Sequence, residues 1–337
     1  MGIRTLSNNK RGTFLKELFK RQEIILFLFL VFLCIVFSII SYPLRGEQVF
    51  FTSKNFLNIL LQSTITGIAA IGCTAIILSG AFDLSIGSLQ SVVGLAAVYF
   101  ANITGNVIVG VLAGVFVGAI VGSVNSLVVL KMKVNSFIAT LAMMGILRGL
   151  VYIITGGRSI ALRVSWLNWL GTGYIGEIPV PVIILIVLYG IFYVVLNKSP
   201  FGRYIYAVGG NTRATLLAGI NTQKIKFGAF LLSGILASLS GIILAARLNS
   251  AQPRSAYGFE LLVISAVILG GTSLSGGRGN LMGTIIGVLT LGVISNALVI
   301  YDVNPFYIQV VRGVILIMAV FIDQLRRGKV TAGMESY

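Results

Sequence analysis

Histidine is missing from this 337-residue sequence, and carboxylates are scarce at nine. The first absence removes the commonest general base and metal ligand. The second leaves only Asp83, Glu260 and Asp323 in or beside apolar segments, at no helical spacing that pairs them. Neither acid–base catalysis nor a metal site is expected. Both cysteines, Cys34 and Cys73, lie inside apolar runs and read as packing residues. The six prolines fall at or between the ends of those runs, so no kinked span is expected. Charge of either sign makes up only 10% of the chain, against about 25% in soluble domains.

What is abundant is hydrophobe, at 57% of residues, with a mean hydropathy of +0.99. A bilayer is the solvent this composition fits. A span needs about 20 apolar residues, and the sequence supplies about ten candidates: 23–42, 56–80, 84–101, 107–130, 135–155, 179–196, 227–246, 259–272, 280–300 and 305–324. The eighth is short and the third begins abruptly, so either can be broken or re-entrant. Runs this long and continuous leave helices as the only option, because unpaired backbone groups in hydrocarbon cost several kcal/mol each. The expected fold is all-α and polytopic. A basic tail over 1–22, a membrane domain over 23–324 and a tail over 325–337 complete the division. The first run has no small-residue cleavage site after it and reads as a retained helix.

Basic residues orient the chain. With the N-terminus in the cytoplasm, Lys131, Lys133, Lys198, Arg203, Arg213, Lys224, Lys226, Arg278 and both tails fall inside. Only Arg45, Lys54, Arg158, Arg163, Arg247 and Arg254 fall outside. An even number of spans places both termini in the cytoplasm. The net charge of +16 therefore sits mainly at span ends, where it sets topology and meets anionic membrane lipid. No basic stripe with interleaved aromatics occurs in a soluble segment, and no nucleic-acid partner is expected.

Two glycine motifs imitate nucleotide sites and fail on context. Residues 171–176, GTGYIG, neither follow a strand nor open a βαβ unit. Residues 270–279, GGTSLSGGRG, lack the Lys-Ser/Thr ending of a phosphate-binding P-loop. Gly110, Gly114, Gly118 and Gly122 recur every fourth residue, a spacing that lets helix backbones approach. Packing within the chain, a dimer contact or a route lining would each use it. AIILSG (75–80) echoes AVILGG (266–271), and LRGLVYII (147–154) echoes VRGVILIM (311–318), but at separations that no single duplication explains.

Polar residues inside spans form a short set. Asp83 follows a Gly80-Ala81-Phe82 break; it either caps the third span or, with Ser85, faces a central pathway. Asn125 and Asn296 bond to a neighbouring helix or to a passing solute. Arg148 and Arg312 each stand about seven residues, roughly 10 Å, from an outer span end. That is within snorkelling reach, although an intramembrane charge is a functional candidate by default. The longest hydrophilic stretch inside the membrane domain, 197–226, is basic and helix-competent. With no nucleotide site in the chain, it reads as the handle by which a separate motor works the bundle.

In order along the chain, ILSGAFDLSIGS, VNSFIATLAMMGILRGL, FGRYIYAVGGNTRATLLAGIN, ILGGTSLSGGRGNLMGT and VVRGVILIMAVFID resemble the permease subunit of ribose, xylose and galactose-type ATP-binding-cassette importers. The resemblance runs from about residue 24 to 327. It implies a bacterial inner-membrane location, a second permease copy, a cytoplasmic ABC ATPase subunit that binds the ATP and Mg, an extracytoplasmic sugar-binding protein, and no cofactor in this chain. Arg213-Ala214-Thr215-Leu216-Leu217-Ala218-Gly219 is similar to the family's E-A-A-x-x-x-G helix, with Arg213 in place of the acid and Thr215 in place of the second alanine. The resemblance thus assigns ATPase coupling to Asn211, Thr212, Arg213, Ala214, Thr215, Gly219, Ile220 and Asn221. Asp83, Ser85, Asn125 and Asn296 are the pathway candidates. Arg45, Arg158, Arg163, Arg247 and Arg254 are the candidates for docking the binding protein. Few convergent polar groups are expected along the route, since tight binding would slow release. Related importers of branched-chain amino acids, nucleosides or autoinducer-type furanosyl signals are the near alternatives, and an ion-coupled secondary transporter is the distant one.

Overall fold

The computed structural model describes residues 22–45 and 48–334. Nine helices in it are long and apolar enough to cross a membrane. They are α1 (Gln22–Arg45), α2 (Ser53–Leu78), α3 (Ile86–Thr104), α4 (Val107–Leu130), α5 (Ser136–Thr155), α7 (Val180–Lys198), α10 (Thr222–Arg247), α12 (Leu281–Ile300) and α13 (Pro305–Met334). The shorter helices are α6 (Ser165–Thr172), α8 (Pro200–Gly210), α9 (Thr212–Leu217) and α11 (Phe259–Leu269). Extended structure is limited to β1 (Ile160–Ala161) with β4 (Ser250–Ala251), and β2 (Tyr174–Ile175) with β3 (Ile178–Pro179), both antiparallel. Residues 1–21, most of the expected N-terminal tail, lie outside the described residues. The last helix, α13, carries the apolar span Phe306–Leu325 and continues as helix to Met334.

The eighth run, expected to be short or broken, is observed so: residues 259–272 hold the 11-residue α11, too short at 1.5 Å per residue to cross a bilayer as a helix alone. Gly270 and Gly271 end it, and the chain leaves as a loop. Five of the long helices start where a polar side chain takes up a free N–H. Thr52, Asn106, Asn135, Asn221 and Asn280 cap α2, α4, α5, α10 and α12.

The layers follow from burial. In α2, 83% of the most apolar stretch is buried, against 12% in α13, so α2 is the axis and α13 is peripheral. The helices α3 and α10 pack against α2, and buried polar contacts pin the three together: Gln90 Nε2 donates to Ser240 Oγ at 2.5 Å, and Ser240 Oγ donates to Ile65 O at 2.6 Å. The glycine stripe of α4 proves to be intramolecular. A Cβ at Gly118 would overlap Ser238 Oγ and lie 2.5 Å from Gly234 O of α10. We therefore expect Gly118→Leu to destabilise the folded bundle by at least about 3 kcal/mol, read as a lowered melting temperature in detergent. Gly190→Leu, with nothing within 4 Å of its Cβ position, should be neutral.

Candidate functional site

The hydrophilic stretch after α7 folds into two short helices. Ser199 caps α8 by accepting from Gly202 N at 3.2 Å, and Pro200 fills a first-turn position where no N–H is needed. Gly202, Ile205 and Val208 form the buried face of α8. Asn211 then caps α9, its Oδ1 accepting from Ala214 N at 2.9 Å, while Thr212 Oγ1 and Thr215 Oγ1 donate to Val208 O and Asn211 O. Gly219 lies one residue beyond the helix cap Ala218, at φ +82°, with Gly219 N and Ile220 N closing on Leu216 O and Thr215 O. Such a left-handed reversal favours glycine. Asn221 completes the segment by capping α10 through Lys224 N at 3.0 Å. Of α9 only Thr215 is buried; Arg213 and Ala214 are exposed, as are Leu216 at 59% and Leu217 at 82%. Two exposed leucines on a capped helix are the feature that residue-by-residue matching to the motif left out.

This segment is fastened to the axis of the bundle at one point. A Cβ at Gly209 in α8 would overlap Leu78 O, at the end of α2, and lie 2.5 Å from Gly277 N. Gly277 N itself donates to Leu78 O at 2.9 Å. From the other side Tyr206 Oη donates to Gly279 O at 2.9 Å, and burial raises its pKa, which keeps the phenol a donor. The GGTSLSGGRG loop is thus a backbone-to-backbone joint between α8, α2 and the loop that leads into α12.

The chain between α2 and α3 has no regular structure over 81–85, and two of its N–H groups are satisfied by a neighbouring helix. Phe82 N donates to Ser136 Oγ at 3.1 Å and Leu84 N to Thr140 Oγ1 at 3.0 Å, both on α5. Asp83 is not the helix cap: Ser85 holds that position and makes no side-chain cap bond. Asp83 Oδ1 instead accepts from Ser85 N at 2.9 Å and Ser85 Oγ at 2.6 Å, and Asn125 Nδ2 donates to Ser85 Oγ at 2.9 Å. Ser233 Oγ faces Asp83 Oδ2 at 3.5 Å. All four side chains are buried inside one chain. Asn296 is buried on α12 and makes no bond to this cluster.

A second polar assembly was not foreseen. Between α2, α11, α12 and α13 lies a cavity of about 90 Å³ whose wall carries Gln62, Ser63, Thr66, Ser295 and Arg312. A neighbouring cavity of about 270 Å³ shares Leu262 and Arg312 and is bordered by Tyr257 and Gln309. Arg148 of α5 lies over the Tyr257 ring, 5.1 Å from its centroid, and its Nη1 faces Ser255 O at 3.4 Å. The two intramembrane arginines, remote in sequence, thus border one cleft. Hydroxyl, amide and guanidinium groups from three helices meet here where each helix alone reads as apolar.

Comparison with known proteins supplies the family. The branched-chain amino acid transport system permease component family matches residues 55–320. This chain belongs to that permease family. Curated relatives include the ribose import permease protein RbsC of Bacillus subtilis, 42% identical over 302 residues, covering 88% of this chain and 91% of the relative. RbsC of Escherichia coli is 40% identical over 282 residues, 82% of this chain and 88% of the relative. The L-arabinose transport system permease protein AraH of Escherichia coli is 39% identical over 284 residues, 82% and 85% of the two chains. No solved structure matches. With its long apolar helices, the chain is a multi-pass inner-membrane permease.

The arginines expected to dock a binding protein are distributed unevenly in the permease. Arg158, Arg163 and Arg254 are exposed, on the short loops near the β1–β4 ladder. Arg247 is half-buried, with Nη1 facing Leu61 O at 3.4 Å, which ties it to α2. The Arg45 side chain lies outside the described residues.

Proposed function

We propose that the permease is the membrane subunit of an ATP-binding-cassette importer that carries a monosaccharide of the ribose or arabinose class inward by alternating access. The observation that carries this reading is α9, a capped helix with Leu216 and Leu217 exposed to water, joined through α8 and the Gly209–Gly277 contact to the axial helix α2. Exposed leucines held in fixed geometry suit a hydrophobic groove on a partner. Rigid backbone contact suits the transmission of force. ATP and Mg are bound by a separate cytoplasmic ATPase; segment 211–221 moves with it, and α2 and the α12 loop follow. The names of the ribose and arabinose permeases support the solute class, and a soluble extracytoplasmic sugar-binding protein delivers it.

A second permease copy completes the unit. The α5 and α13 helices are largely unburied within the chain, yet they carry Arg148, Gln309 and Arg312. No atom approaches the Cβ positions of Gly145, Gly149 and Gly313 within 4 Å. A guanidinium within the span is costly toward lipid unless it snorkels, so this face is read as turned toward the partner copy and the route between them.

Reconstitution tests the reading. Vesicles holding the permease, its ATPase and the binding protein should accumulate D-ribose only with ATP, whereas vesicles holding the permease alone should not. Uphill accumulation by the permease alone would overturn the proposal in favour of ion coupling. Asp83→Asn bears on the same choice. The amide keeps the acceptor that Ser85 uses, so ATP-driven uptake is expected within about threefold of wild type, with no response to an imposed proton gradient.

A further inference from the structure

The cleft bounded by α2, α11, α12 and α13 has properties that packing does not explain. Gln62 is exposed and lines it, one residue before the stretch 63–78 over which the axial helix is buried throughout. Ser63 is 2% exposed and lines the cavity, yet its Oγ has no hydrogen-bond partner among the described residues. A buried hydroxyl left unpaired is disfavoured, and a water or a solute group in the cavity is the partner open to it. Opposite stands Gly292, where a Cβ would overlap Ser63 Oγ. Glycine there keeps space open beside the hydroxyl.

We infer that Gln62, Ser63, Thr66, Ser295 and Arg312 form a low-affinity subsite of the permease for a neutral polyhydroxylated solute, which gives the membrane subunit its own share of solute recognition. The inference rests on the importer reading above and goes beyond it. The chemistry of the wall selects this class. Amide and hydroxyl groups both donate and accept, the guanidinium offers a fork of donors, and no carboxylate lines either cavity among the described residues. Leu262, Val288 and Leu291 supply an apolar floor that suits the C–H face of a sugar ring. The Tyr257 ring, 84% exposed, stands at the border with the larger cavity. Depth agrees. Ser63 lies ten residues into α2 from Ser53, about 15 Å along the axis and half of a hydrocarbon core of about 30 Å. The middle of the bilayer is where alternating-access carriers hold their solute.

The test uses the full chain with Cys34 and Cys73 replaced by alanine and with Ser295→Cys as a reporter. Modification by a small thiol reagent is timed with D-ribose, sodium sulfate or glycine betaine present. A Kd near 10 mM predicts that about 50 mM ribose slows labelling about sixfold, while betaine has no effect. A Thr66→Cys reporter gives the same pattern if Ser295→Cys fails to fold; size exclusion and co-purification of the ATPase serve as the folding checks. Protection by sulfate and not ribose would overturn the solute class in favour of an anion, and protection by neither would overturn the subsite. If ribose protects and Gln62→Leu removes the protection, the assignment stands. These results are separable from the importer reading, which fails if the wild-type complex does not take up ribose with ATP or if the permease alone accumulates it.

Discussion

Gly209→Val is expected to abolish ATP-driven uptake, a fall of at least about 100-fold, whereas Gly210→Ala, one residue further on, should stay within about twofold of wild type. The contrast follows from what each new Cβ meets. At Gly209 it would occupy the carbonyl oxygen of Leu78 and press on Gly277 N. Both are backbone atoms that no rotamer change moves aside, so α8 must separate from α2. At Gly210 nothing lies within 4 Å, and alanine is the better helix former by about 1 kcal/mol. Uptake by reconstituted vesicles gives the primary reading. Co-purification of the ATPase separates the explanations, because α9 is exposed and should still bind in the valine variant. Uptake lost with the ATPase retained marks a broken joint. Equal behaviour of the two variants would remove the joint from the mechanism.

The double variant Leu216→Asp with Leu217→Asp is expected to leave the folded permease intact and remove its partner. Both leucines are exposed and Thr215 alone anchors α9, so the change in thermal stability should stay within about 0.5 kcal/mol. At an interface the same side chains would be central apolar anchors. Their replacement by desolvated carboxylates should weaken ATPase binding at least thirtyfold, a loss of about 2 kcal/mol. Measurement of the complex Kd with purified ATPase decides it. Gly219→Val should act in the same direction by another cause: space is open there, but φ of +82° is strained for a β-branched residue.

Much of the architecture was legible because it depends on local information. The span read as 107–130 is observed as Val107–Leu130, and 280–300 as Leu281–Ile300. Hydropathy over about 20 residues is a property of the chain itself, and the asparagine caps stand next to the N–H groups they serve. Failures came where a local rule met a tertiary competitor. Asp83 has the residue type and position of a helix cap, but Ser136 and Thr140 take the N–H groups of Phe82 and Leu84, and the helix starts at Ile86. The segment 259–272, by contrast, follows its own length: it yields an 11-residue helix that Gly270 and Gly271 turn into the loop.

Sequence alone therefore determined the solvent of this permease, its long helices and the hydrophilic stretch between α7 and α10, since each depends on neighbours in the chain. Tertiary structure decided what those helices bring together. Leu78, Gly209 and Gly277 form one joint, and Gln62, Ser295 and Arg312 share one cleft. Residues so distant along the chain meet only after the helices have chosen their partners. That choice is set by which glycines admit a neighbouring backbone, a property of surfaces in contact that no single helix carries.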